Sequence, residues 1–374
     1  MKINLSGSII KQVDAIIHSA IDLGISDIHI EPYEKRVRVR YRLDGYLQEV
    51  ADIPHHQKDA VVSRIKVMAS LDIAEKRRPQ DGRIKVKRVN ESDIDLRISI
   101  LPVQFGEKVV IRILDRSRLK LELESLGFES EELALFKETI KLPYGLILVT
   151  GPTGSGKSTT LYSALSEINT LDKNIITIED PIEYNLKGIN QSQVHEEIDL
   201  TFANILRSIL RQDPDVIMVG EIRDRETAEI AIRASLTGHL VFSTLHTNDS
   251  ISAISRLIDM GVPAFLLAAS LKLVLSQRLV RTLCTYCKSA NSENGVSPVG
   301  CEKCNETGFR GRTSIIEALK VNSEVAEIIG GNYEEVFLRD YASKNGMKLL
   351  KDSGMRKVRD GKTTVEEVYK QTLT

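Results

Sequence analysis

The sequence predicts a two-domain α/β chain. An α+β domain covers residues 1–115, a charged linker covers 116–132, and an α/β domain with a parallel sheet covers 133–374. Three features of the chain point this way. In the first part, short runs alternate apolar and polar residues and meet at a hairpin signal. In the second, helices alternate with continuous apolar runs, as strands covered on both faces do. One of those runs leads straight into GPTGSGKS (Gly151–Ser158).

In chain order, Ile9, Ile10, Val13, Ile16, Ile17 and Ala20 recur at helical spacing, and Gly24 ends that helix. Ser26–Ile30 reads as a strand. Arg36–Arg42 alternates, with Val37, Val39 and Tyr41 on one face, and Asp44-Gly45 turns it into Tyr46–Val50. A helix is expected near Gln57–Leu71, then strands Gly82–Val89, Asp93–Ile100 and Glu107–Leu114. The linker docks through Leu126-Gly127-Phe128. From Leu133, helices separate the apolar strands Gly145–Thr150, Ile175–Ile178, Val216–Val219 and Leu240–Leu245. After residue 276 the chain reads as helical and polar, with a Cys-rich insert over about 281–312.

Composition excludes several functions. Lys+Arg total 51 against 52 Asp+Glu, so no basic excess draws the chain to nucleic acid. Trp is absent and aromatics are 5%, too few for base-stacking platforms. Four cysteines cannot build a disulfide scaffold. The most apolar stretch, Gly261–Leu275, is shorter than the roughly 20 residues of a membrane span and carries Lys272. The N-terminus lacks the apolar core of a signal peptide. A cytoplasmic protein is expected, reaching membranes only through partners. Lys76–Arg78 and Arg83–Arg88 are basic and read as a solvated hairpin face or a contact for nucleic acid or anionic lipid.

Gly151, Pro152, Thr153, Gly154, Ser155, Gly156, Lys157, Ser158 and Thr159 fit the phosphate-loop pattern between a strand and a helix. Glycines let backbone N–H groups turn toward phosphate, and the helix N-terminus adds positive charge. Lys157 is expected on the β/γ-phosphates of ATP and Ser158 on Mg²⁺. Glu221, after Val216–Val219, is the candidate carboxylate on the metal side. Glu179, with Asp180 and Glu183 close by, ends another strand and is the candidate base for the attacking water. His246 stands at a further strand tip, as a γ-phosphate sensor or a structural hydrogen-bonder. Arg207 and Arg211 share a helix face, as surface residues or as part of the phosphate charge network.

Cys284-x-x-Cys287 and Cys301-x-x-Cys304, 13 residues apart, suit tetrahedral Zn²⁺. The intervening stretch has no apolar core of its own, so a metal would hold it. Reduced, empty thiols are the alternative.

These motifs together resemble the secretion and type IV pilus assembly ATPases of bacteria, the motors of type II secretion, pilus extension and DNA uptake. The resemblance rests on SDIHIEP (Ser26–Pro32), Gly151–Tyr162, ITIEDPIEY (Ile176–Tyr184), Leu210–Asp249 and GKTTVEEV (Gly361–Val368). Ile176–Tyr184 looks like the family's Asp box, Arg211–Glu221 like its Walker B segment, and Thr237–Thr247 like its His box.

The resemblance implies a PAS-like N-terminal domain, a RecA-like P-loop ATPase domain and a homohexameric ring. It makes Glu179 the base and Glu221 the Walker B glutamate, and puts Arg207 and Arg211 around the nucleotide. It turns Arg97 and Arg112, otherwise readable as a charged strand face, into arginines that reach the γ-phosphate. It also implies an inner-membrane platform protein and other secretion or pilus components as partners, with peripheral association at that membrane. The chain starts directly at the PAS-like domain, as short competence members or trimmed chains do. The cysteine insert favours the assembly and secretion branch over pilus retraction. A RecA-like nucleic-acid motor and a non-hydrolysing scaffold are the competing readings.

Overall fold

The computed structural model describes residues 2–3, 5–87, 93–115, 121–291, 295–331 and 333–373. Arg88 and Val89 of the expected fourth strand, Arg88 of the basic hairpin, residues 116–120 of the linker and 292–294 of the insert lie outside the described residues. The chain divides into two units, Met1–Leu119 and Lys120–Thr374.

In the first unit, period-two alternation produces the sheet. Its elements are α1 (Ile9–Leu23), β1 (Asp27–Pro32), β2 (Arg36–Leu43), β3 (Tyr46–Pro54), α2 (Lys58–Met68), β4 (Gln80–Val86), β5 (Ile94–Val103) and β6 (Gly106–Leu114). The strands run antiparallel in the order β3-β2-β1-β6-β5-β4. Val37, Val39 and Tyr41 share one core with Val13, Ile16 and Ile17 of α1 and Val61 and Ile65 of α2. Successive side chains of a strand point to opposite faces, so Arg36, Arg38, Arg40 and Arg42 line the other face.

The second unit contains α3 (Ser130–Thr139), β7 (Gly145–Thr150), α4 (Lys157–Ile168), β8 (Ile175–Glu179), β9 (Asn190–Gln193), α5 (Phe202–Ile209), β10 (Val216–Val219), α6 (Arg225–Leu236) and β11 (Leu240–Leu245). There follow α7 (Ser250–Asp259), α8 (Ala264–Ser270), β12 (Leu271–Leu283), β13 (Ser289–Asn291), β14 (Gly295–Ser297), β15 (Phe309–Lys320), α9 (Ser323–Gly330), α10 (Glu335–Lys344), α11 (Leu350–Arg359) and α12 (Val365–Thr372). Seven strands form the sheet β15-β12-β7-β11-β10-β8-β9, parallel except for β15 against β12. Both faces are covered. Leu146 and Leu148 pack into one core while Ile147 and Val149 pack into another, which is why β7 reads as an unbroken apolar run.

Leu126-Gly127-Phe128 docks within this unit. Phe128 stacks on Phe136 with centroids 5.4 Å apart, and Lys357 Nζ donates to the Gly127 carbonyl at 2.7 Å.

The helical reading after residue 276 is corrected. β12 runs 13 residues and β15 runs 12, and among the described residues α-helix resumes at α9. Ser276, Gln277 and Arg278 interrupt the apolar run and mimic a polar surface, yet all three are buried. Their side chains bond to Ser155, Thr160 and Asn248, all distant in sequence, a compensation that local pattern cannot reveal.

Candidate nucleotide site and tetracysteine cluster

β7 ends at Thr150, and residues 151–156 fold back into α4. Gly151 sits at φ 143° and Gly156 at φ 90°, backbone shapes that L side chains resist. A Cβ on Gly151 would meet Gln277 O at 2.4 Å and Ser155 Oγ at 2.6 Å, and one on Gly156 would meet Gln277 Nε2 at 2.7 Å. Lys157 opens α4 almost fully buried, and its Nζ donates to the carbonyls of Gly151 (2.8 Å) and Pro152 (3.1 Å). Burial lowers its pKa to about 8, with Arg278 adding to the effect and Glu221 opposing it. Ser155 Oγ is buried and has no partner among the described residues. Pro152, Thr153, Gly154 and Ser158 are exposed, and Thr159 is half-buried. An orphaned hydroxyl, a helix N-terminus and a buried ammonium within one turn of chain form a cradle suited to phosphate.

The carboxylates stand at the C-terminal ends of parallel strands, where ligands of open α/β sheets bind. Glu179 ends β8 and is buried. Tyr162 Oη donates to its Oε2, and Thr177 Oγ1 (2.6 Å) and Gln191 Nε2 (2.9 Å) donate to its Oε1. Glu221 lies just past β10. Arg223 bridges it at 2.5 Å to Asp180 at 3.3 Å. His246 Nε2 is 3.5 Å from Glu221 Oε2. Burial and then the Lys157 charge hold His246 below the ordinary imidazole value, with Glu221 opposing them. The fold thus gathers Lys157, Glu221 and His246 from three strand ends.

Arg207 and Arg211 bond to α5 and α6 groups. Arg207 pairs with Glu226 and donates to Asn204 Oδ1 at 3.2 Å, and Arg211 donates to the Arg207 carbonyl at 2.9 Å.

Arg97 and Arg112 lie in the first unit, opposite each other across β5 and β6. Register extends the row: Arg83 stands opposite Arg97, Asp27 opposite Arg112, and Arg42 opposite Asp27. Four arginines and one aspartate therefore cross five strands in line. Directly opposite residues are about 5 Å apart, so this row concentrates positive charge. Arg112 Nε donates to Asp27 Oδ1 at 3.1 Å.

Sequence reasoning missed Gln277, Arg278, Arg223 and Tyr162 as parts of the site. The polar break in the β12 run was the available signal for the first two.

Cys284, Cys287, Cys301 and Cys304 are all free, and their Sγ atoms lie within 4.8 Å of one another. Three of the Sγ–Sγ separations are 3.9, 3.7 and 3.7 Å. Four sulfurs about 2.3 Å from a central zinc span a tetrahedron with edges of about 3.8 Å, so the donor set fits that metal. Burial raises the Cys304 pKa, and the N–H groups of Cys301 and Gly308, both 3.2 Å from its sulfur, outweigh this and bring it down to about 7. The base of the insert is tied down by Arg281 on Glu367 (2.6 Å) and Lys288 Nζ on the Gly361 carbonyl (3.0 Å).

Among the described residues, no helix is long and apolar enough to cross a membrane.

Residues 3–370 match the family described as Type II/IV secretion system protein. The chain is 52% identical to the type IV pilus assembly ATPase PilB of Myxococcus xanthus, over 97% of this chain and 68% of that one. It is 50% identical to the type II secretion system protein E of Pseudomonas aeruginosa, over 97% and 75%. Among solved structures, the pilus retraction motor PilT with bound ADP superposes with a TM-score of 0.66 at 31% identity, covering 95% of each chain. The ATPase DotB of Legionella pneumophila shares the fold, with a TM-score of 0.74 at 22% identity, covering 95% of this chain and 93% of that one.

Proposed function

The chain belongs to the type II/IV secretion system protein family, and from that membership we propose how it works as a secretion and pilus ATPase. The observation that carries the reading is Lys157, buried at the start of α4 with its ammonium under the Gly151–Gly156 loop. ATP phosphates fill this cradle and replace the two carbonyls as partners of Nζ. Ser158 and Glu221 would hold Mg²⁺, which would supply charge neutralisation at the phosphates.

Glu179 is the base. A carboxylate has about four acceptor sites, and its three donors fix its orientation and leave one site for the attacking water. Glu221, His246 and Arg223 form the polar network beside it. Arg207 and Arg211 contribute around the nucleotide. Arg97 and Arg112, within the arginine row of a PAS-like domain (residues 1–115), carry positive charge to the equatorial oxygens of the γ-phosphate, where phosphoryl transfer gains most from it.

A RecA-like domain over 133–374, joined through the 116–132 linker, assembles with five copies into a homohexamer in the cytoplasm. Hydrolysis drives an inner-membrane platform protein that assembles pilin-like subunits. Four thiolates make a closed zinc site, structural and without an open position.

Phosphate release by the full chain, with and without Mg²⁺ and DNA, tests this. Mg²⁺-dependent release unchanged by DNA is the expected result. Strong stimulation by DNA favours a nucleic-acid motor instead, and no release at all favours a scaffold.

A further inference from the structure

Strand β12 holds two loops at once. Gln277 Nε2 donates to the Ser155 carbonyl at 2.9 Å, and Thr160 Oγ1 donates to Gln277 Oε1 at 2.7 Å. One side chain thereby grips the phosphate loop and the first turn of α4. The same residue crowds Gly151 and Gly156, so the loop's glycines answer to β12 as well as to phosphate. Next to it, Arg278 Nη2 donates to the Asn248 carbonyl at 2.8 Å, two residues beyond His246, and Ser276 Oγ reaches the same carbonyl at 3.4 Å.

Arg278 is 3% exposed and, among the described residues, has no carboxylate within ion-pair distance; Glu317 and Asp249 act on it only from farther away. A buried guanidinium without a direct counter-charge is costly. Its Nη1 lies 3.2 Å from where a Cβ on Gly151 would stand, so its field falls on the loop.

We propose that Gln277 and Arg278 are positioning residues for the nucleotide: Gln277 sets the shape of the phosphate loop, and Arg278 couples that loop to the His246–Asn248 loop while adding positive potential beneath the phosphates. This rests on the nucleotide reading of Gly151–Thr159. No phosphate contact by either residue is required.

The test is ADP titration by calorimetry on the full chain, beside thermal unfolding without nucleotide. Gln277→Met keeps the side-chain volume and removes both bonds. It lowers ADP affinity about tenfold, the scale of one or two buried hydrogen bonds. Thr160→Val costs about threefold, and the double variant is no weaker than Gln277→Met alone, because the two changes share one bond. Arg278→Met loses about tenfold or more and Arg278→Lys recovers much of it, since the charge returns; a packing role alone would give no such rescue. If Arg278→Met does not fold, the Gln277/Thr160 cycle still decides. Additive losses in that cycle, or Gln277→Met binding ADP within about twofold of wild type while Lys157→Ala has lost binding, overturn the proposal. If Lys157→Ala also binds normally, the nucleotide reading is what falls.

Discussion

Raising the pH should weaken nucleotide binding through Lys157. Burial holds the free ammonium at about 8, below its ordinary value. A bound polyphosphate favours the charged form and returns the pKa toward its usual value of about 10.4. Below pH 8 the free protein already carries the proton, and affinity is flat. Above pH 8 the free lysine loses it, and binding must take a proton back from solvent. The affinity then falls by up to about tenfold per pH unit, reaching roughly 30-fold at pH 9.5.

Calorimetric titration of ADP between pH 7 and 9.5 measures this directly. Repeating the titration at pH 9 in two buffers of different ionisation enthalpy counts the proton. Close to one proton, about 0.9, is taken up at pH 9 and about 0.1 at pH 7. Lys157→Arg places a cation there that does not titrate, so whatever affinity it retains is flat over the range. Wild-type affinity unchanged to pH 9.5, or no proton uptake at pH 9, would rule out Lys157 as the group that titrates.

Three further outcomes are expected. Glu179→Gln keeps ADP affinity and cuts ATP turnover about 10²-fold or more, as loss of a general base does; full turnover would move the base to Glu183 or Glu221. Arg97→Ala with Arg112→Ala leaves the unfolding midpoint and ADP binding in place but lowers turnover; wild-type turnover would return these residues to a charged strand face. Protein purified without chelator contains one zinc per chain by elemental analysis, and Cys301→Ser loses it and destabilises the insert while ADP binding persists; four thiols of native protein reacting at once would count against the site.

Much of the fold was legible because its signals are local. Alternation gave β2 its faces, with Val37 and Tyr41 inward and the arginines outward, since a strand's side-chain period is two. Unbroken apolar runs marked β7, β8, β10 and β11, because strands covered on both faces have no polar side to show. The phosphate loop was legible because glycines, a lysine and a hydroxyl must follow one another within a single turn to surround a phosphate. The cysteines were legible because each pair of donors comes from one tight turn.

Other parts depend on chain segments that meet only in the folded state. Ser276–Arg278 looked like a polar surface because its partners, Ser155, Thr160 and Asn248, lie at least 28 positions away. The arginine row follows from antiparallel register, which aligns Arg83, Arg97, Arg112 and Arg42 from four strands. Residue identity fixed which groups carry charge, and tertiary pairing decided which of them share a face. A side chain's free energy depends on what surrounds it, and for Gln277 and Arg278 those surroundings come from elsewhere in the chain.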